Sequence, residues 1–169
     1  QDTGTSEGAP LKDYYGNDRP FGAGFDMGIY ECQTLPPKPI VYISPTGHDD
    51  TGNGTIDNPY QTVQKGLNEV AVSGEVRMMS GTYTIEAGQF VNNSMINWPD
   101  KTGITLKLSP EVTETATIDA ASAGRIFKVG NAVSLTIEGI TMRNGRVSGN
   151  GGGIYLQNGS SISLDKVNI

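Results

Sequence analysis

One loop in the first third of the chain carries oxygen atoms of the kind that bind Ca²⁺. Asp49, Thr51, Asn53 and Asp57 supply carboxylate, hydroxyl and amide oxygens at alternating positions. The spacing partly matches a calcium-binding loop, but the twelfth position is Tyr60, where such loops need a bidentate glutamate. We therefore expect a turn that leads into the following helix, with a weak Ca²⁺ site as the alternative.

Two aromatic side chains suggest a platform on which sugar rings could stack. Trp98 lies between an asparagine and a proline, and Tyr155 follows a run of glycines. Aromatic rings offer a large apolar face that is suited to such contacts. For Trp98 we favour the alternative, in which the indole closes the hydrophobic core.

The composition argues against a catalytic nucleophile and against a metal site made of cysteine thiolates. The chain has one histidine, His48, and one cysteine, Cys32, so neither a Ser-His-Asp set nor a thiolate zinc cluster is indicated. We assign no catalytic residue and no cofactor. Cys32 is expected to be an inert thiol, with a bridge between molecules as the alternative.

Charge and hydropathy exclude two further classes of partner. The 169 residues carry a formal net charge of −6, and no basic stretch could follow a phosphate backbone, so we expect no nucleic-acid binding. No apolar run approaches the roughly 18 residues of a membrane-spanning helix.

The 23 glycines indicate strands and turns more than a helical bundle.

The chain divides into three predicted regions. Residues 1–37 form an irregular leader that is rich in glycine and aromatic residues and ends in a proline-rich linker. Residues 38–74 contain a first strand, a polar loop and a helix. Residues 75–169 contain short strands separated by turns.

The helix is predicted over residues 59–73. Asn58 is the expected N-cap, and Gly74 the expected stop. An apolar stripe follows at helical spacing, and a glycine inside it, Gly66, indicates close packing against a neighbour. The stripe consists of Val63, Leu67 and Val70.

A gapless repeat of 27 residues predicts the architecture. Shifting the chain by this offset places Leu135 on Ile162, and other apolar residues on apolar ones. This period is typical of one turn of a parallel β-helix, in which equivalent residues of successive coils stack about 4.8 Å apart. Asn131 and Asn158 coincide too and predict an internal amide ladder at a tight turn. The fold class is therefore all-β, with a helix that caps the first coil.

Several segments resemble known β-helix families. Residues 41–50, 54–67 and 80–83 resemble the opening of right-handed parallel β-helix proteins of the pectate-lyase-like superfamily. Residues 150–155 and 161–164 resemble coils of bacterial surface β-helix proteins. Residues 13–20 and 24–31 are similar to the choice-of-anchor-type tail that closes secreted β-helix proteins.

The resemblance implies chemistry to be considered, because the superfamily includes polysaccharide lyases. Such enzymes need an arginine or lysine base and usually Ca²⁺ beside the uronate carboxylate. We expect the candidate residues of this chain to form a solvated charged face, with a metal or catalytic site as the alternative. The candidates are Lys128, Arg143, Arg146 and Lys166, with Glu138 stacked on Asp165.

A closing tail before an opening cap implies tandem β-helix units, and the chain is interpreted as a piece of a larger protein. We expect a non-catalytic structural or adhesive module of an extracellular or cell-surface, fibre-forming protein. Its expected partners are neighbouring β-helix units or identical molecules end to end. The alternatives are the N-terminal part of a polysaccharide lyase or glycoside hydrolase that acts on acidic polysaccharide, and a carbohydrate-binding β-helix.

Overall fold

The structure is a computed structural model that describes residues 38–84 and 90–169. The predicted leader, its resemblance to a closing tail and Cys32 lie outside the described residues. Within the described ranges the chain forms one helix and eleven strands. These are β1 Lys38–Ile43, α1 Val63–Glu69, β2 Val70–Met78, β3 Gly81–Thr84, β4 Ser94–Trp98, β5 Ile104–Leu108, β6 Ala116–Asp119, β7 Arg125–Val129, β8 Ser134–Glu138, β9 Thr141–Arg143, β10 Ile154–Leu156 and β11 Ser161–Asp165.

The strands form three parallel sheets. Successive coils each contribute one strand to a given sheet. The orders are β1-β2-β5-β8-β11, β10-β7-β4 and β3-β6-β9. Leu135 pairs with Ile162 and Ile137 with Leu164, as the 27-residue repeat predicts. Earlier coils have a different spacing, since Ile104 pairs with Leu135. The predicted parallel β-helix fold is confirmed.

The core is made of apolar rows that run perpendicular to the strands. Val41, Val76, Leu106 and Ile137 follow one another in register across four strands, and each is 0% exposed. Neighbouring residues on the same strands point outward, as alternation along a strand requires. Burial of these rows at about 25 cal/mol per Å² of apolar surface is the main force that holds the coils together.

Helix α1 differs from the prediction at both ends. Its N-cap is Thr62, not Asn58, and it ends at Glu69 because Val70 already belongs to β2. The turn before it is held by the loop: Asn58 donates its amide to the carbonyl of Thr51, and the carbonyl of Pro59 accepts from the backbone of His48. Because of these contacts, residues 58–61 belong to the loop and not to the helix.

The buried stripe and the close packing of the helix are confirmed. Val63, Leu67 and Val70 are all buried. A Cβ at Gly66 would lie 2.7 Å from Cγ2 of Ile43, so this position needs a glycine. The helix therefore lies directly on the first strands.

Loop backbone and one side chain pair with the strand edges at the helix end of the coils. The outer edge of β1 is bonded to the loop that follows it, since the Tyr42 N–H donates to the carbonyl of Gly54 and the Tyr42 carbonyl accepts from the N–H of Tyr60. The amide of Gln64 does the same for β4: it donates to the carbonyl of Asn97 (2.9 Å) and accepts from its N–H (2.8 Å). Because unpaired edges are templates for aggregation, loop and helix together protect two sheets.

The predicted internal ladder of Asn131 and Asn158 is wrong. The two residues occupy equivalent turns, where the backbone of Ala132 donates to the carbonyl of Asn158, but both side chains are exposed. The left-handed backbone belongs to the next residue in each turn, Ala132 (φ 57°) and Gly159 (φ 77°). The asparagines therefore need no left-handed conformation, and their amides point to solvent.

Ala132→Gly is expected to raise the free energy of unfolding by about 0.5–1 kcal/mol, because alanine is strained at positive φ. Chemical denaturation measures the change. The same substitution at buried Ala116 in β6 is the control and should lower stability. An unchanged or lower stability of the Ala132 variant would contradict the assigned turn.

A lysine from outside the helix caps its C-terminal end. The Lys101 ammonium donates to the carbonyls of Leu67 (3.4 Å), Asn68 and Val70 (2.8 Å). These carbonyls have no partner within the helix, and a cation there also interacts favourably with the helix dipole.

Lys101→Met should therefore destabilise the fold by about 1–2 kcal/mol in thermal or chemical unfolding. Lys128→Met is the matched control, since no hydrogen bond of that ammonium is found within residues 38–84 and 90–169. Equal effects of the two substitutions would argue against a capping role for Lys101.

Candidate functional site

The outer face of the five-stranded sheet carries a row of polar and charged side chains that includes the predicted pair Glu138 and Asp165. Tyr42, Arg77, Lys107, Glu138 and Asp165 occupy equivalent positions on adjacent strands and form what we term the charged row. The predicted stacking of Glu138 on Asp165 is confirmed. Parallel pairing thus lines up one side chain from every coil.

The cations of the charged row are bound by carboxylates from their own strand and from neighbouring coils. Arg77 contacts Glu75 (2.9 Å) and Glu111 (3.3 Å). Lys107 lies between Glu75 (3.7 Å) and Glu138 (3.5 Å). Exposed pairs of this kind contribute up to about 1 kcal/mol each, so the row stabilises the stack modestly.

Glu111 extends this network from the loop after β5. Its carboxylate accepts from the hydroxyls of Ser109 and Tyr42 (3.0 Å for Tyr42) and from Arg77. The Ser109 hydroxyl is the main reason that the pKa of Glu111 lies below its ordinary value, with smaller contributions from Tyr42 and Arg77. The network therefore favours an ionised carboxylate, which is the form that binds cations.

The four candidate Ca²⁺ ligands are placed in a loop with its own hydrogen bonds. Both oxygens of Asp49 face the residues that precede the helix, accepting from the backbones of Gln61 (2.8 Å) and Thr62 (3.0 Å) and from the Thr62 hydroxyl (2.6 Å). Asn53 accepts from both the N–H and the hydroxyl of Thr55.

Thr51 contributes its backbone carbonyl, and Asp57 is exposed. Within residues 38–84 and 90–169, no three His, Cys, Asp or Glu side chains are arranged to hold a metal ion. His48 is an exposed loop residue. The contacts of the loop are those of a turn that leads into the helix.

Trp98 is not available as a sugar-stacking platform. The ring is 4% exposed, belongs to β4 and packs edge-on against Phe127 with ring centroids 5.8 Å apart. Its indole N–H is buried and has no partner among the described residues. The structure supports the interpretation that this side chain closes the core.

Tyr155 is half-buried on β10, and a cation covers one face of its ring. The Arg125 guanidinium lies 4.8 Å from the ring centroid and donates to the carbonyls of Gly151 (2.7 Å) and Asn150 (2.8 Å). Arg125 also reaches the Ser94 hydroxyl on the adjacent strand. This contact network fastens the glycine-rich loop to the coils.

The candidate bases for lyase chemistry are distributed over different sheets. Lys128 lies on β7, between Asn97 and Tyr155 in an outward-facing row. Arg143 lies on β9, and Lys166 follows β11. The structure does not bring these cations together around one carboxylate pair.

Asp119 is a site residue that the sequence analysis did not identify. One oxygen accepts from the backbone of Ala121 (2.8 Å) and the amide of Asn144 (2.9 Å), and the other accepts from Arg143 (2.8 Å). The Ala121 N–H is the largest reason that the pKa of Asp119 is lowered, followed by Asn144 and Arg143. Its partners Arg143, in β9, and Asn144, in the next turn, are far away in the sequence. Only the register between the strands could have predicted these contacts.

Tyr83 is a buried side chain whose hydroxyl makes structural contacts. Its hydroxyl donates to the carbonyls of Ile43 and Met79, both at 2.9 Å. Burial raises the pKa of this phenol. The side chain therefore joins the first two coils as a neutral donor.

A cleft of about 410 Å³ opens beside the helix. The described residues that line it are uncharged and come from the loop after β1, the start of the helix, β3 and β4. They are Pro45, Gln61, Thr62, Val63, Gln64, Thr82, Tyr83, Thr84, Met95 and Ile96. Its volume lies within the range of small-ligand sites.

Comparison with known proteins supports the fold. No protein-family model and no curated protein matches the chain. A solved structure named rhamnogalacturonan lyase is similar with a TM-score of 0.53 and 22% identity, over 61% of this chain. The two share a parallel β-helix. The match spans 28% of that protein's length, and at this identity it indicates fold alone.

Acidification should weaken the fold through Asp119. Because its pKa is lower in the folded state, the carboxylate stabilises the protein above its unfolded-state pKa of about 4, and this contribution is lost as the pH falls through the folded-state value. Asp119→Asn should lower the free energy of unfolding at neutral pH by about 1–2 kcal/mol and bring the variant close to the parent in acid.

Denaturation at several pH values measures this convergence. Asp57→Asn is the control, since Asp57 is exposed and has no hydrogen bond within the described ranges. A stability difference that stays constant from neutral to acidic pH would contradict the proposed contribution of the Asp119 charge.

Proposed function

We propose that the chain is a non-catalytic structural or adhesive β-helix module of an extracellular or cell-surface protein. The observation that carries this proposal is the pairing of outer-face charges across coils. Arg77, Lys107 and Arg143 each contact a carboxylate that belongs to another strand or loop. In this arrangement charged side chains hold the stack together.

A catalytic base would require a different environment. It must be unprotonated and within hydrogen-bond reach of the proton that it removes. The nitrogens of Arg77, Lys107 and Arg143 already contact carboxylates, so they are not free to accept a proton from a substrate. This argument supports a scaffold more than an active centre on the five-stranded sheet.

We further propose that another β-helix coil is the partner of the last described coil. Ile154, Leu156 and Ile162 are half-buried, whereas Phe127 and Val129, one coil earlier, are 0% exposed. Strand β11 pairs with β8 on one side. A further coil would supply both a strand and an apolar layer.

The helix end does not offer the same kind of surface. The outer edge of β1 is bonded to the loop that contains Gly54 and Tyr60. Strand pairing between the two ends of identical chains would require this loop to move. A neighbouring β-helix unit is therefore the favoured partner over identical molecules stacked end to end.

Polysaccharide binding or cleavage is the second candidate function. The similar solved structure carries the name rhamnogalacturonan lyase. In this chain Lys128 and Tyr155 lie side by side on the outer face of their sheet, a combination of cation and aromatic ring that could contact an acidic sugar. Glycan-array binding that is lost in both Lys128→Ala and Tyr155→Ala would favour this function.

No membrane-crossing segment is found among the described helical residues, since none is both long and apolar enough. We propose an extracellular or surface location, without a requirement for Ca²⁺. Antibody labelling of intact source cells tests the location. Labelling that requires permeabilised cells would contradict it.

The full chain is expected to form no unsaturated uronate from pectin, alginate or glycosaminoglycan, with or without Ca²⁺, and chelation should not change its unfolding temperature. Absorbance of the unsaturated product measures the first, and thermal unfolding the second. A pectin-cleaving lyase serves as positive control. Product formation that Lys128→Ala abolishes would overturn the non-catalytic proposal.

A further inference from the structure

Four asparagines in the chain are followed by glycine: Asn53, Asn144, Asn150 and Asn158. In such pairs the unhindered backbone nitrogen of glycine can attack the side-chain carbonyl carbon of asparagine. The new C–N bond closes a succinimide and ammonia leaves with the proton that the backbone nitrogen gives up. Water then opens the ring to aspartate or isoaspartate. The reaction needs no oxidant or cofactor.

The exposure of the asparagines does not distinguish the four pairs, because all four are exposed, although Gly54 differs from the other three glycines in being buried. Hydrogen bonding does distinguish them. The attack requires the side-chain amide to rotate towards the backbone and the glycine nitrogen to be accessible. A hydrogen bond to either group must break first, and the cost slows the reaction.

Two of the pairs are held by such bonds. The Asn53 side chain accepts from the Thr55 hydroxyl (2.8 Å) and N–H (3.1 Å), while the Gly54 N–H donates to the carbonyl of Asn58 (3.1 Å). The Asn144 amide donates to Asp119 (2.9 Å). Both amides are therefore fixed away from the attacking nitrogen.

The other two pairs lack these restraints. Within residues 38–84 and 90–169, no hydrogen bond involves the side-chain amides of Asn150 and Asn158 or the N–H groups of Gly151 and Gly159. Both backbone carbonyls of the asparagines do have partners: Asn150 accepts from Arg125 and Asn158 from Ala132. The turns are thus held in place while the reacting groups are left unpaired.

We propose that Asn150 and Asn158 are sites of spontaneous deamidation in the folded protein, and that Asn53 and Asn144 are protected. Reaction at both sites would change the formal charge from −6 to −8. Isoaspartate at position 158 also adds one main-chain carbon between β10 and β11. The turn there is fixed to the preceding coil by the Ser161 N–H, which donates to Val133.

The test compares the folded chain with the same chain in denaturant, both incubated at mildly alkaline pH. Peptide mapping by mass spectrometry quantifies aspartate and isoaspartate at each of the four positions. In denaturant all four pairs should react at comparable rates. In the folded chain Asn53 and Asn144 should react at least about tenfold more slowly, whereas Asn150 and Asn158 should stay near their unfolded rates.

Two variants sharpen the comparison. Asn158→Gln removes the reactive pair and should abolish the product in that peptide alone. Asp119→Ala removes the partner of Asn144 and should bring its rate close to that of Asn150. If Asp119→Ala unfolds, the folded parent still decides the question: similar slowing of all four pairs, or equally fast reaction at Asn53 and Asn158, overturns the proposal.

Discussion

Every other feature of this molecule depends on in-register parallel stacking of short strands. Once Leu135 lies on Ile162, the alternation along each strand sends one set of side chains into a shared core and the other set outward. The apolar rows supply the stabilisation, and the polar rows follow from the same geometry. A one-residue slip would turn the core residues to solvent, so register and stability are specified together.

The same constraint explains the ion pairs. Arg77, Lys107 and Glu138 are neighbours because each occupies the same position in its own coil. Charge patterns that look scattered in the sequence become rows in the structure. Opposite charges in adjacent coils attract, and like charges such as Glu138 and Asp165 meet only where solvent can screen them.

Patterns local to the chain were predicted well, and contacts between distant segments were not. The repeat and the buried stripe of the helix follow directly from apolar spacing, and Gly66 from its place in that stripe. The start of the helix was misplaced because Asn58 and Pro59 are bound by Thr51 and His48 in the loop. Ile96 and Trp98 show the alternation that is typical of a strand, and both are buried in β4. Asp119 could not be predicted as a site residue, because it meets Arg143 only when β6 and β9 pair in register.

The side-chain amide of Gln64 forms the two hydrogen bonds with Asn97 that a neighbouring strand would form. These bonds affect the side on which further coils can be added. Since the N–H and the carbonyl of Asn97 are already hydrogen-bonded, a further strand on that side of β4 would gain no hydrogen bonds from them. Each new turn of backbone instead finds its template on the opposite side, where the previous strand still offers free amides and carbonyls. Because the stability of such stacked arrays is a sum of nearest-neighbour terms, a further coil adds stability at that opposite end and not beyond the sealed first layer.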